Sequence, residues 1–196
     1  MEIELSGFRV AAIGTETAVC TAALSALSDC GGQLAVGDHG SAQADILLMS
    51  WQLDPRDHRE VDDDALIAAA EAVLHQMNRR GRGRIVFLLS AIGAIPMRRH
   101  PRYSRRMSAA VAAMRCLSMT AAPEVAVNAL GFGRIDCAGT KTGDDAMLTH
   151  VPLGRPGRLD EAVAAILFMA DPKNSYTTGQ LLVVDGGWST GYGRNF

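Results

Sequence analysis

A run of cations surrounds one phenol in this chain: Arg98, Arg99, His100, Arg102, Arg105 and Arg106 flank Tyr103. Guanidinium groups at that density suit the phosphates of coenzyme A or the carboxylates of a partner chain. A solvated arginine-rich loop is the plainer alternative. The formal net charge of −2 gives no global pull toward nucleic acid or a membrane surface, so neither is expected as a partner. Other clusters promise less. Asp54 to Asp64 is acid-rich, but its spacing fits a helix start and a solvated loop better than a metal cage. His39, His58, His75, His100 and His150 share no motif, and no metal site is expected. Cys20, Cys30, Cys116 and Cys137 form neither CxxC pairs nor a secreted framework, so reduced thiols in a cytoplasmic protein are expected.

The elements that must position these groups follow from periodicity. With 196 residues, 48% apolar and 20% charged, the chain reads as one domain over 1–196 with a sizeable core. It contains neither an apolar run of about 18 residues nor a signal-peptide pattern. Apolar β-type runs alternate with helical-period runs, which predicts βα units around a mostly parallel sheet. Strands are expected at Phe8 to Ile13, Gln33 to Gly37, Ala44 to Met49, Arg84 to Leu89, Glu124 to Asn128 and Leu181 to Val184. Helices are expected near Thr17 to Cys30, over Val61 to Met77, after Tyr103, and over Asp160 to Ala170. The second carries a stripe of Leu66, Ile67, Ala70, Val73, Leu74 and Met77. The third carries Met107, Val111, Met114 and Leu117 on one face. Ala109, Ala110, Ala112 and Ala113 make a second, small-residue face suited to another subunit. The tail Trp188 to Phe196 carries three aromatics and suggests an interface.

Several stretches together resemble the short-chain dehydrogenase/reductase family, particularly its 3-oxoacyl-reductase-like members. The most specific is PLGRPGRLDEAVAAILFMADPKNSYTTGQLLVVDGG, from Pro152 to Gly187. GRIVFLLS, from Gly83 to Ser90, looks like the strand leading to the family's catalytic serine, and Tyr103 falls at the usual distance from it. VNALGFGRIDC, from Val127 to Cys137, resembles the strand and turn that cover the nicotinamide, with Phe132 where proline is usual. The resemblance implies a Rossmann-like doubly wound α/β fold with a reduced N-terminal half.

It also implies a chemistry. In the family a tyrosine exchanges a proton with the substrate oxygen while a serine hydroxyl holds that oxygen. A lysine four residues after the tyrosine lowers its pKa and binds the nicotinamide ribose, and an asparagine on the preceding long helix supports a water chain to it. Ser90 and Tyr103 match. Met107 stands at the lysine's place with no charge and no donor, and an ungapped count puts Asp62 at the asparagine's. A tyrosine near pKa 10 is only about one part in a thousand ionised at pH 7. Losing a preorganised charge from such a site costs on the order of 100-fold or more.

The family's glycine-rich TGxxxGxG turn, which lets backbone approach a pyrophosphate at a helix N-terminus, reads here Gly14-Thr15-Glu16-Thr17-Ala18-Val19. It holds one glycine, counts about one residue short, and faces the diphosphate with Glu16. Asp38 could imitate the acidic residue that grips the ribose, but no phosphate loop stands beside it. Met49-Ser50-Trp51-Gln52 replaces the family's Asn-Asn-Ala-Gly run. Between Asp38 and Asp45 only six residues remain, where the family inserts a helix, a strand and another helix. A parallel crossover needs a dozen or more.

The expectation is a non-catalytic subunit of a heteromeric short-chain dehydrogenase, tetrameric with an intact same-fold partner. That partner would hold NAD or NADP and oxidise a 3-hydroxyacyl thioester, with no cofactor bound by this chain. Ser90 and Tyr103 would be vestigial. The alternatives are an active NAD(P)-dependent oxidoreductase working through Ser90 and Tyr103, with Arg105 or Arg106 as a substitute cation, and a ligand sensor using the remaining pocket.

Overall fold

Glycine-punctuated runs of valine, isoleucine and leucine set the strands, and helices with apolar stripes cover them. The computed structural model describes residues 3–35, 40–57, 59, 61–137 and 148–190. Along the chain come β1 (Arg9–Gly14), α1 (Ala18–Asp29), β2 (Gln33–Leu34), β3 (Ile46–Ser50), α2 (Asp63–Arg80) and β4 (Gly83–Ser90). Then follow α3 (Pro101–Ala121), β5 (Val125–Phe132), β6 (Ile135–Asp136), β7 (Gly157–Arg158), α4 (Leu159–Ala170) and β8 (Leu181–Val184). Six strands form one sheet in the order β2-β1-β3-β4-β5-β8, and every neighbouring pair is parallel. The architecture is the doubly wound one that the alternating elements predict.

Strand β4 shows why such a sheet needs helices on both faces. Ile85, Phe87 and Leu89 pack with α2 and α3, while Val86 and Leu88 pack with α1 and α4. Trp51 stacks on Phe87 with ring centroids 5.2 Å apart. The stripes on the long helices are buried: Leu66, Ala70, Val73, Leu74 and Met77 on α2, and Met107, Val111, Met114 and Leu117 on α3. Burying each large apolar side chain stabilises by roughly 1.5–3 kcal/mol relative to exposure. Ala109 and Ala112 are exposed as a second face would be, but Ala110 is buried with the core.

Several boundaries differ from the periodicity, each for a local reason. Asp62 does not lie inside α2 but caps it, its carboxylate accepting the Ala65 N–H at 2.9 Å; this satisfies an otherwise orphaned donor. At the far end α2 runs to Arg80 and stops at Gly81, which adopts φ 69°, a left-handed cap. Helix α3 begins before Tyr103, at Pro101, because proline's fixed φ and missing N–H suit a first helical position. Strand β5 runs on to Phe132, because Ala129 to Phe132 pair with both β4 and β8.

The N-terminal side of the sheet is slight. Strand β2 contributes two residues, Gln33 and Leu34, in register with Arg9 and Val10. No strand lies beyond it among the described residues. Asp38, His39, His58 and the tail from residue 191 lie outside the described residues.

Below β3, Asp45 is fully buried. It accepts the Arg9 backbone N–H at 3.0 Å and meets the guanidinium groups of Arg9, Arg80 and Arg82 at 3.4 Å each. Burial pushes its carboxyl up, but the Arg9 N–H and the charges of Arg82 and Arg9 outweigh that and hold it below the ordinary range. All four cysteines are free thiols. Among the described residues no helix is long and apolar enough to cross a membrane, and no three His, Cys, Asp or Glu side chains could hold a metal.

Candidate functional site

The C-terminal ends of the central strands open into a cavity of about 610 Å³, where open parallel sheets hold their ligands. Ser90, the last residue of β4, lines it together with Phe132 at the end of β5. Ser90 is nearly buried, and its hydroxyl accepts the Ile92 N–H at a long 3.4 Å.

Tyr103 sits in the first turn of α3, and its hydroxyl donates to the backbone carbonyl of Gln52. Burial is the largest influence on this phenol and pushes it well above its ordinary value. The neighbouring Ser90 hydroxyl and the Arg106 charge lower it only in part. A proton exchanger near neutral pH needs the opposite displacement. Met107, one turn further along α3, is fully buried in the apolar cluster that holds Trp51, Phe87 and Met114.

The nearest cation is Arg106, three residues on. The sequence reading discounts it for missing the i+4 position, but residues three apart on a helix are also neighbours. All three of its guanidinium nitrogens are hydrogen-bonded. Nε and Nη2 donate to Asp63 at 2.7 and 2.8 Å, and Nη1 donates to Gln52 Oε1 at 2.9 Å. Asp63 also accepts the Trp51 indole N–H at 2.8 Å, and Gln52 Nε2 donates to the Arg59 carbonyl at 2.7 Å. A closed network of Tyr103, Gln52, Arg106, Asp63 and Trp51 thus stands where the sequence reading looks for a tetrad. Asp62 takes no part in it. Gln52 and Asp63 carry no sequence signal for this role, since one follows a buried strand and the other opens a helix.

On the cofactor side, Gly14 adopts φ 96°, and a Cβ there would lie 2.3 Å from the Ser50 carbonyl oxygen. The turn is clamped onto the end of β3, with the Thr15 N–H donating to that oxygen at 2.7 Å. Thr17 caps α1 by accepting the Cys20 N–H at 3.1 Å, so this helix end is served by its own side chain. Exposed Glu16 lines the cavity wall beside it, and Arg59 Nη1 reaches the Glu16 carbonyl at 3.5 Å. Asp54 and Asp57 share that wall, held by Arg56 and Arg59. A diphosphate laid on the first turn of α1 would meet a carboxylate and an occupied cap. Among the described residues its adenosine end would find only two residues of β2. These residues do not fit a dinucleotide held as the resembled family holds it.

The basic cluster divides in two. Arg106 belongs to the internal network, whereas Arg98, Arg99, Arg102 and Arg105 are exposed on the outside. His100 precedes α3 without a side-chain cap bond and lines the cavity.

Comparison with known proteins gives four informative likenesses. Residues 33–189 match the family model described as enoyl-(acyl carrier protein) reductase. The chain is 28% identical over 173 residues to the 3-oxoacyl-(acyl-carrier-protein) reductase of Vibrio cholerae, covering 85% of this chain and 71% of that one. A gluconate 5-dehydrogenase from Burkholderia cenocepacia, solved with NADP and tartrate, superposes with a TM-score of 0.76 at 22% identity, over 97% of this chain and 98% of that one. So does an NADPH-bound short chain oxidoreductase of Pseudomonas aeruginosa containing an atypical catalytic center. There the TM-score is 0.74 and the identity 22%, over 94% and 98% of the two chains.

Proposed function

This chain belongs to the short-chain dehydrogenase/reductase family of oxidoreductases, and from that premise we propose that it is a non-catalytic subunit of a heteromeric member. In this reading an intact chain of the same fold binds NAD or NADP and oxidises a 3-hydroxyacyl thioester. This chain supplies shape and contact surface.

One observation carries the reading. The phenol of Tyr103 is bonded to a backbone carbonyl and pushed away from ionisation, and the position that should hold its cation is the buried thioether of Met107. The clamped Gly14 turn supports it from the cofactor side. Strand β8 leaves an open sheet edge with Leu182 39% exposed, and Phe168 of α4 is equally exposed. Apolar groups grouped on a surface favour contact with another chain.

The test is a titration of the purified chain with NADH and NADPH, followed by co-purification from the native source. No saturable nucleotide binding and recovery of a same-fold partner are expected. Micromolar nucleotide binding, or elution alone under all conditions, overturns the reading.

A second reading has one observation in its favour. Ser90 still stands beside Tyr103 and Arg106 still biases its phenol toward ionisation, which favours an oxidoreductase with a rearranged centre. The Pseudomonas aeruginosa oxidoreductase is described as having an atypical centre. Turnover of a hydroxyacyl substrate by the purified chain alone, abolished in Tyr103→Phe, establishes this reading over the first.

A further inference from the structure

We infer that Arg99, Arg102 and Arg105 form a binding site for the phosphates of an organic ligand whose uncharged arm enters the Ser90 cavity. The inference concerns the same cavity as the functional reading but does not depend on how Tyr103 behaves.

The starting observation is how differently this chain treats its arginines. Arg9, Arg80 and Arg82 converge on Asp45; Arg56, Arg59 and Arg106 are paired with Asp54, Asp57 and Asp63; Arg155 and Arg158 share Glu161. Against that background Arg98, Arg99, Arg102 and Arg105 have no carboxylate partner among the described residues. From Met97 to Arg106 the sequence holds no acidic residue at all.

Their position makes the lack of partners costly. Arg102 lies in the first turn of α3 and Arg105 in the next, and no acidic residue stands in that first turn. The N-terminus of a helix carries partial positive charge, so cations there are disfavoured and anions favoured. Pro101 has no N–H to give, and His100 makes no side-chain capping bond. The molecule therefore holds several like charges together at the end of a helix dipole that repels them. An incoming anion relieves both repulsions at once.

The patch is also continuous with the cavity. Arg99 and His100 line the Ser90 cavity and also an outer groove that Arg102 and Arg105 border. The groove contains Asp57, Asp62 and Asp63, and each is already engaged: with Arg59, with the Ala65 N–H, and with Arg106. Inside, apart from the wall of Glu16, Asp54 and Asp57, whose two aspartates are paired with Arg56 and Arg59, the cavity is lined by Leu53, Ile92, Phe132 and Trp188. A ligand with an uncharged arm of acyl width and a tail of two or more phosphates satisfies both parts, since guanidinium forks bind phosphate oxygens in pairs. A phosphorylated carrier thioester and a free nucleotide both present that tail.

Calorimetric titration with coenzyme A, ADP and inorganic pyrophosphate tests the site and separates its sources. Coenzyme A is expected to bind saturably and more weakly as salt rises. The double variant Arg102→Glu, Arg105→Glu is expected to weaken it about tenfold or more, a loss of about 1.4 kcal/mol per factor of ten. That variant places carboxylates where the helix dipole favours them, so its melting temperature should hold or rise, which separates lost binding from lost folding. Tighter binding of coenzyme A than of ADP identifies a carrier with an arm in the cavity. Equal binding of the two identifies the nucleotide phosphates as the recognised part. Absence of binding by all three compounds overturns the proposal, even if an acidic protein is captured instead. Binding indifferent to the double variant does so too. Neither arm reads turnover, so failure here leaves the account of Tyr103 and Met107 untouched.

Discussion

Two ionic clusters sit at opposite ends of β3, and they are built differently. At the N-terminal end, Asp45 is fully buried beneath three guanidinium groups that themselves reach solvent. At the C-terminal end, partly buried Arg106 pairs with partly exposed Asp63, and they hold Gln52, Trp51 and through Gln52 the phenol of Tyr103. The first cluster fastens β1, β3 and the end of α2 where the fold has no ligand to serve. The second spends the same kind of interaction on groups lying where a doubly wound sheet does its chemistry. On the non-catalytic reading this second network is structural, its polar side chains satisfying one another beside the cavity.

The largest expected effect breaks that idea directly. Met107→Lys places an ammonium in a fully buried apolar position. It should cost about 3–5 kcal/mol, the range for an uncompensated buried charge, measured as the shift in urea unfolding. No NAD-linked turnover should appear. A stable variant with activity would show that the catalytic end was merely silenced.

Next is Asp45→Asn at the other pole. Its expected cost is about 2–3 kcal/mol, below the usual figure for a broken buried pair because the arginines can turn to water. The pH dependence distinguishes charge from packing. A carboxyl whose folded pKa is depressed contributes above its ordinary value near 4, and that contribution fades as pH falls through the lower folded value. The stability gap between the two proteins should therefore be flat from pH 7 to about 5 and narrow below about 4.

Tyr103→Phe removes one hydrogen bond to the Gln52 carbonyl and should cost about 1 kcal/mol. Under the non-catalytic reading thermal unfolding registers the change and a turnover assay of the assembled oligomer does not. The smallest expected effect is the coupling between Tyr103→Phe and Arg106→Ala, which share Gln52 as a hydrogen-bond partner. A double-mutant cycle should return about 0.5 kcal/mol. A value near zero would mean that the network is a set of separate contacts.

Much of the fold was legible because it rests on repeating patterns. The stripe from Leu66 to Met77 and the one from Met107 to Leu117 determined which faces of α2 and α3 are buried, since a helix must turn its apolar side to the sheet. The unbroken apolar run of β4 determined that it lies inside, covered on both faces. Met107 was legible as a member of the α3 stripe, and it is buried as that stripe predicts. What occupies the C-terminal end of β3 could not be read, because Gln52, Asp63 and Arg106 are far apart in sequence and each has an ordinary local role. Only packing β3 between β1 and β4, with α2 beside α3, brings an amide and a carboxylate each within 3 Å of one guanidinium. Spacing along a chain specifies neighbours on one element. Which elements share an end of the sheet is decided by burial of their apolar faces, and that choice is made in three dimensions.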